Sequence, residues 1–134
     1  MGVRAAKPCD LAAVLAVARE GFTGPELFGP RWLCDTLANP GTAMLVESPG
    51  ANVVRGFMLA ERYLTGTVVR YIAVGACYRK QGVGRRLLAR VNGPASAWVR
   101  AENIASRSLF TASGWRSEIA PRQRRGEWCY FVRG

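Results

Sequence analysis

Between Arg79 and Arg85 the chain reads Arg-Lys-Gln-Gly-Val-Gly-Arg, and residue types in this pattern are suited to holding an anion. Glycines let a backbone approach a ligand without an intervening Cβ. With a helix opening at Gly82, the N–H groups of its first turn lack intrahelical acceptors and lie at the positive end of the helix dipole, so they make a seat for a pyrophosphate. Neither the GxGxxG spacing of dinucleotide-binding turns nor the GxxxxGK[ST] of P-loops is present. Carriers for a proton are few. The chain has no histidine, which removes every Ser-His and Cys-His nucleophile arrangement. Glu61 is either the cross-strand ion-pair partner of Arg70 or a general base acting through a water. Tyr71 is a candidate acid, with Tyr63 and Tyr130 beside it, although tyrosines in so apolar a sheet also serve as packing residues with a hydroxyl at the edge. Cys77 reads as an inert thiol.

The elements that position these residues follow from periodicity. Val3 to Ala6 forms an opening strand, and Asp10 caps a helix whose Leu11, Val14, Leu15, Ala18 and Phe22 make one apolar stripe. Gly21 and Gly24-Pro25 end it. A second helix starts at Pro30, whose fixed φ suits a first turn, and stops at Asn39-Pro40-Gly41. Thr42 to Ser48 is a strand, and Val53 to Leu64 with Thr67 to Val74 form a hairpin closed at Thr65-Gly66. If Leu64 pairs with Thr67, Glu61 stands opposite Arg70. Both hairpin strands are apolar on both faces, so the sheet is covered on two sides. The helix from Gly82 carries Leu87, Leu88 and Val91 to Asn92-Gly93-Pro94. Ser96 to Glu102 is a strand, Asn103 caps a helix that stops at Gly114, and strands near Trp115 to Ile119 and Glu127 to Val132 flank a loop with Arg122, Arg124 and Arg125.

This order, β-α-α-β-β-β-α-β-α-β-β, is an α/β (α+β) fold with a mixed sheet of about six to seven strands flanked by about four helices. The length of 134 residues, 49% hydrophobic and 21% charged, suits one domain over 1–134 and excludes a disordered or collagen-like chain. No apolar run reaches the roughly 20 residues of a membrane span, and no secretory signal is visible, so a cytoplasmic protein is expected. Cys9, Cys34, Cys77 and Cys129 form no CxxC pair, so buried, reduced thiols and no metal site are expected. Residues 79–134 hold 12 Lys/Arg against 3 Asp/Glu, a net of +9, whereas residues 1–78 hold 7 against 6, a net of +1. The second half favours an anionic partner: a phosphate-bearing cofactor, RNA or an acidic protein surface.

Ile72-Ala73-Val74 followed by Arg79-Lys80-Gln81-Gly82-Val83-Gly84-Arg85-Arg86-Leu87-Leu88 resembles the acetyl-CoA-binding signature of the GNAT N-acetyltransferases. Val99 to Ser106, Leu109-Phe110 and Gly114-Trp115 resemble that family's later segment, and the opening strand and helix also suit it. The resemblance implies the family's twisted, mostly antiparallel sheet and acetyl-CoA as cofactor. It places main-chain groups of Ile72, Ala73 and Val74 on the pantetheine arm, amides from Lys80 to Arg85 on the pyrophosphate, and Asn103 and Phe110 beside the cofactor. Arg79 opens the signature. Members acting on ribosomal-protein N-termini place a Glu five residues before the Asn and a Tyr seven after it, and here those positions are Trp98 and Phe110, which cannot move a proton. Two readings of function stay open. One is an N-acetyltransferase acting on a primary amine of a peptide, a protein, an aminoacyl-tRNA or a small molecule. The other is a weakened module that binds CoA, a protein or RNA. Monomer and homodimer are both compatible with the sequence.

Overall fold

A computed structural model describes residues 2–21, 29–50, 53–118 and 128–134. In chain order the elements are β1 (Gly2–Ala5), α1 (Leu11–Gly21), α2 (Pro30–Leu37), β2 (Thr42–Ser48), β3 (Gly56–Tyr63), β4 (Gly66–Val74), α3 (Val83–Leu88), β5 (Ala95–Arg100), α4 (Ile104–Ala112), β6 (Arg116–Glu118) and β7 (Trp128–Arg133). The strands form one sheet in the order β1-β2-β3-β4-β5-β7-β6, antiparallel except between β4 and β5. Element types and order agree with the sequence reading. Phe22, Gly24-Pro25 and the Arg122, Arg124 and Arg125 cluster lie outside the described residues.

Both faces of the sheet are covered, as the doubly apolar hairpin strands require. On one face Val14, Leu15, Val17 and Ala18 of α1 and Leu33 of α2 pack on Met44, Val46, Phe57 and Leu59. On the other, Val83, Leu87 and Leu88 of α3 and Phe110 of α4 pack on Met58, Val69 and Ile72. Val69 and Ile72 share a face although they are an odd number of positions apart. Register accounts for it, because Leu59 pairs with Tyr71 but Ala60 pairs with Val69, leaving Arg70 as a bulge.

The turn of the hairpin corrects an expectation. Tyr63 pairs with Gly66, so Glu61 faces Val68 rather than Arg70, yet the Arg70 guanidinium still reaches the Glu61 carboxylate at 3.3 Å. Three other differences have local causes. Asp10 does not cap α1: it ends a short 3-10 turn, where its buried carboxylate accepts the Lys7 N–H at 2.7 Å and a two-pronged contact from Arg4. Helix α3 stops at Leu88, and tight turns accepting N–H groups from Arg90 and Val91 replace its last turn. Cys9, Cys34 and Cys77 are exposed rather than buried, and Cys129 is half-buried, because two lie in turns and Cys34 lies away from the Leu33 side of α2.

Candidate functional site

β4 and β5 part company in the middle of the sheet. They pair only over Thr67–Val69 against Ala95–Ala97. Beyond this, β5 stays with β7, through Trp98 to Tyr130 and Arg100 to Trp128, while β4 stays with β3 through Val74. The bulge at Arg70 falls at the parting point, and bulges bend and twist a strand locally. From Arg70 to Val74, among the described residues, β4 therefore has no strand on the edge toward β5, and alternate N–H and C=O groups face open space.

Two clefts flank this opening. The first, of about 650 Å³, takes in Ile72, Ala73 and Val74 from β4, then Arg79, Lys80, Gly82, Val83, Gly84 and Arg85, and Asn103 from the start of α4. Ten of the twelve residues expected to hold a cofactor thus meet on one wall. Gln81 does not, because its side-chain amide donates to the Cys77 carbonyl at 3.3 Å. Phe110 is fully buried, stacked on Phe131 and edge-on to Trp115, and forms the floor of the second cleft instead. Asn103 caps α4, its side-chain oxygen accepting the Ser106 N–H at 3.1 Å.

The loop before α3 has an unusual backbone. Lys80 has φ of 64° and Gly82 φ of 81°, so two left-handed residues flank Gln81. Left-handed and right-handed residues in succession turn adjacent N–H groups toward one point, a concavity that suits an anion. The two glycines serve different ends. Gly82 supplies the left-handed turn, whereas a Cβ on Gly84 would lie 2.7 Å from Leu109, so Gly84 is what lets α3 and α4 pack closely. Arg79, Lys80 and Arg85 make the wall cationic, and the Glu20 carboxylate across the cleft accepts the Ala76 N–H at 3.3 Å. Ile72, Val74, Val83 and Leu109 add apolar lining, and Asn103, Ser106 and Ser108 add polar groups at the α4 side. An elongated ligand with an anionic end and a slender apolar arm fits these residues.

The second cleft, of about 560 Å³, opens on the other side of the splay and shares Ile72, Asn103 and Ser106 with the first. Glu61, Tyr63, Arg70 and Tyr71 line one side; Trp98, Arg100 and Trp128 line the other. Both proposed proton carriers, Glu61 and Tyr71, are therefore here. The Tyr63 hydroxyl donates to Glu61 at 2.9 Å, and that bond, with the nearby negative charge, holds the Tyr63 hydroxyl above its ordinary pKa. The Tyr71 ring packs edge-on against Trp32, 5.8 Å between centroids. Trp98 packs on Tyr130, and Arg100 lies over the Trp128 ring. Sequence reasoning did not nominate Glu20, Tyr78 or Leu109 for the first cleft, or Arg100 and Trp128 for the second. No spacing links them, since each arrives from a separate element. Among the described residues no group of His, Cys, Asp or Glu could hold a metal ion, and no helix is long and apolar enough to cross a membrane.

A strand that splays from its parallel neighbour over a glycine-bearing loop and helix is the fold of the GNAT N-acetyltransferases, and solved structures bear this out along the chain. A protein from Desulfovibrio desulfuricans assigned to the GNAT family of acetyltransferases superposes with a TM-score of 0.80 at 18% identity, over 98% of this chain and 96% of that one. The ribosomal-protein-S18-alanine N-acetyltransferase of Escherichia coli gives 0.73 at 17% identity, over 97% and 89%. The PaiA N-acetyltransferase of Thermoplasma acidophilum, solved in complex with coenzyme A, gives 0.79 at 14% identity, over 98% and 96%. No protein-family model matches the sequence, and no curated protein does.

Proposed function

We propose that the protein is an acetyl-CoA-dependent N-acetyltransferase acting on a primary amine by direct transfer within a ternary complex. The observation that carries this reading is the unpaired edge of β4 lying between two clefts that meet at Ile72, Asn103 and Ser106. In it the amides from Lys80 to Arg85 hold a diphosphate, Arg79 and Arg85 add charge, and the edge at Ile72, Ala73 and Val74 binds the pantetheine arm. When bound, acetyl-CoA supplies the acetyl group as a thioester. An N–H on the unpaired edge of β4 would donate to the acyl oxygen, where negative charge develops during transfer. The acceptor enters through the second cleft, where the Glu61 carboxylate takes the amine proton through a water as the nitrogen bonds to the acyl carbon. Tyr71, the candidate acid, gives its proton to the coenzyme thiolate that leaves as the C–S bond breaks. Holding amine and acyl carbon in line across the splay supplies the rest of the acceleration, and several orders of magnitude are available from positioning alone.

Charge narrows the acceptor. The net of +9 over residues 79–134 repels free polycations, so an amine carried by a peptide or by an RNA such as an aminoacyl-tRNA suits the surface better. A second reading, a module that binds CoA without turnover, draws on Trp98 and Phe110, which stand where related enzymes carry their acid and base. Thiol release from acetyl-CoA across a panel of amines separates the two. Amine-dependent release supports the enzyme. Calorimetric binding of CoA with no release for any amine supports the module, and no binding at millimolar CoA removes both.

A further inference from the structure

Glu47 is almost fully buried on β2, and its carboxylate is gripped by Arg86 of α3. The Arg86 Nε and Nη2 donate to the two carboxylate oxygens, the latter at 2.9 Å, while Nη1 donates to the Gln81 carbonyl at 3.0 Å. Arg55 adds a second positive charge 4.0 Å from Glu47. A Cβ on Gly82 would lie 2.9 Å from the Arg86 Nη1, so the guanidinium crosses the loop close over this glycine. Neither Glu47 nor Arg86 lines either cleft, in contrast to Arg79, Lys80 and Arg85. A trans peptide is planar with its C=O and N–H on opposite sides, so fixing the Gln81 carbonyl also fixes the direction of the Gly82 N–H.

We propose that Glu47 and Arg86 are positioning residues for the anion loop: Glu47 holds the guanidinium, and the guanidinium clamps the Gln81 carbonyl so that the loop amides face the first cleft. Arg86 on this account gives no charge to the ligand, because Glu47 neutralises it. The inference rests on the CoA-binding reading above and adds to it a residue from a strand distant in sequence.

The test compares CoA with pantetheine, which shares the arm but lacks the diphosphate. Wild type, Glu47→Gln and Arg86→Lys are titrated with each ligand by NMR, at a temperature where circular dichroism shows all three folded. Arg86→Lys keeps the charge but cannot hold carboxylate and carbonyl together. The expected result is a loss of CoA affinity of tenfold or more in both variants with pantetheine affinity unchanged. Should either folded variant bind CoA within twofold of wild type, or should both ligands weaken equally, the positioning role is overturned. Failure of the wild type itself to bind CoA overturns the proposed function instead.

Discussion

The two clefts on either side of the splay are built from different materials. The first brings main chain to its wall, through the free edge of β4, a loop with two left-handed residues and glycines that bring backbone close, beside the side chains of Arg79, Lys80 and Arg85. The second is walled by side chains, with Tyr71, Trp98 and Trp128 supplying rings and Glu61, Arg70 and Arg100 supplying charge. Main-chain hydrogen bonds survive most substitutions, so the first wall can serve one ligand in sequences that otherwise share little. A wall of side chains changes with each substitution. Two of the superposed structures keep the fold at 17% and 14% identity.

Substitutions should separate the two clefts, and the largest effect should fall on the core beneath the second. Phe110→Ala empties a fully buried site under the second cleft and should cost about 3–5 kcal/mol, measured by denaturant unfolding. A loss below about 1 kcal/mol would mean that α4 collapses freely onto the sheet. Glu61→Gln should lower turnover by roughly 10²-fold while leaving CoA affinity unchanged, which sharpens the contrast. An unchanged pH–rate profile removes Glu61 as the base. Gly84→Val forces α3 from α4 against Leu109 and should cost about 1–3 kcal/mol together with CoA binding, read by calorimetry on the folded fraction.

Acid should act on the support of the first cleft. The Arg86 contact holds the Glu47 carboxyl below its usual pKa, against the opposing effect of burial. Its stabilisation is therefore complete above the unfolded value, about 4.3, and is lost as pH falls through the lower folded value. Stability curves of wild type and Glu47→Gln should run parallel near neutrality and converge in strong acid. Curves that stay apart down to the acid limit would contradict this. The smallest effect is expected at Lys80, where a left-handed conformation costs a side-chain-bearing residue about 1 kcal/mol. Lys80→Gly should raise the unfolding free energy by about that amount, and a decrease would show that the side chain contributes more than the strain removes.

Much of the architecture was legible in the sequence. The stripe from Leu11 to Ala18, the Pro30 helix start and the doubly apolar hairpin each encode an element through its own neighbours. The first cleft was legible for the same reason, since the residues from Ile72 to Arg85 lie in one stretch of chain. What stayed hidden depends on distance or register. Nothing near Gly84 announces Leu109, and Glu47 and Arg86 are 39 positions apart. Exposure of Cys9 and Cys77 was missed because a small apolar side chain in a turn carries no periodic signature, and that of Cys34 because reading the cysteines as one buried class ignores the face of α2. The hairpin closes at Tyr63 and Gly66 rather than at Leu64 and Thr67, which puts Val68 and not Arg70 opposite Glu61. The bulge at Arg70 that follows changes neither composition nor hydropathy.

That extra residue also limits how this protein can change length. Along a strand, inside and outside are decided by odd and even, and Arg70 resets the count midway. Removing it would restore simple alternation but would turn either Val69 or Ile72 out of the interior and draw a polar neighbour in. A gain or loss of one codon at this spot is thus a change of topology in miniature, whereas the same event at the exposed hairpin tip near Leu64 would alter only a surface turn.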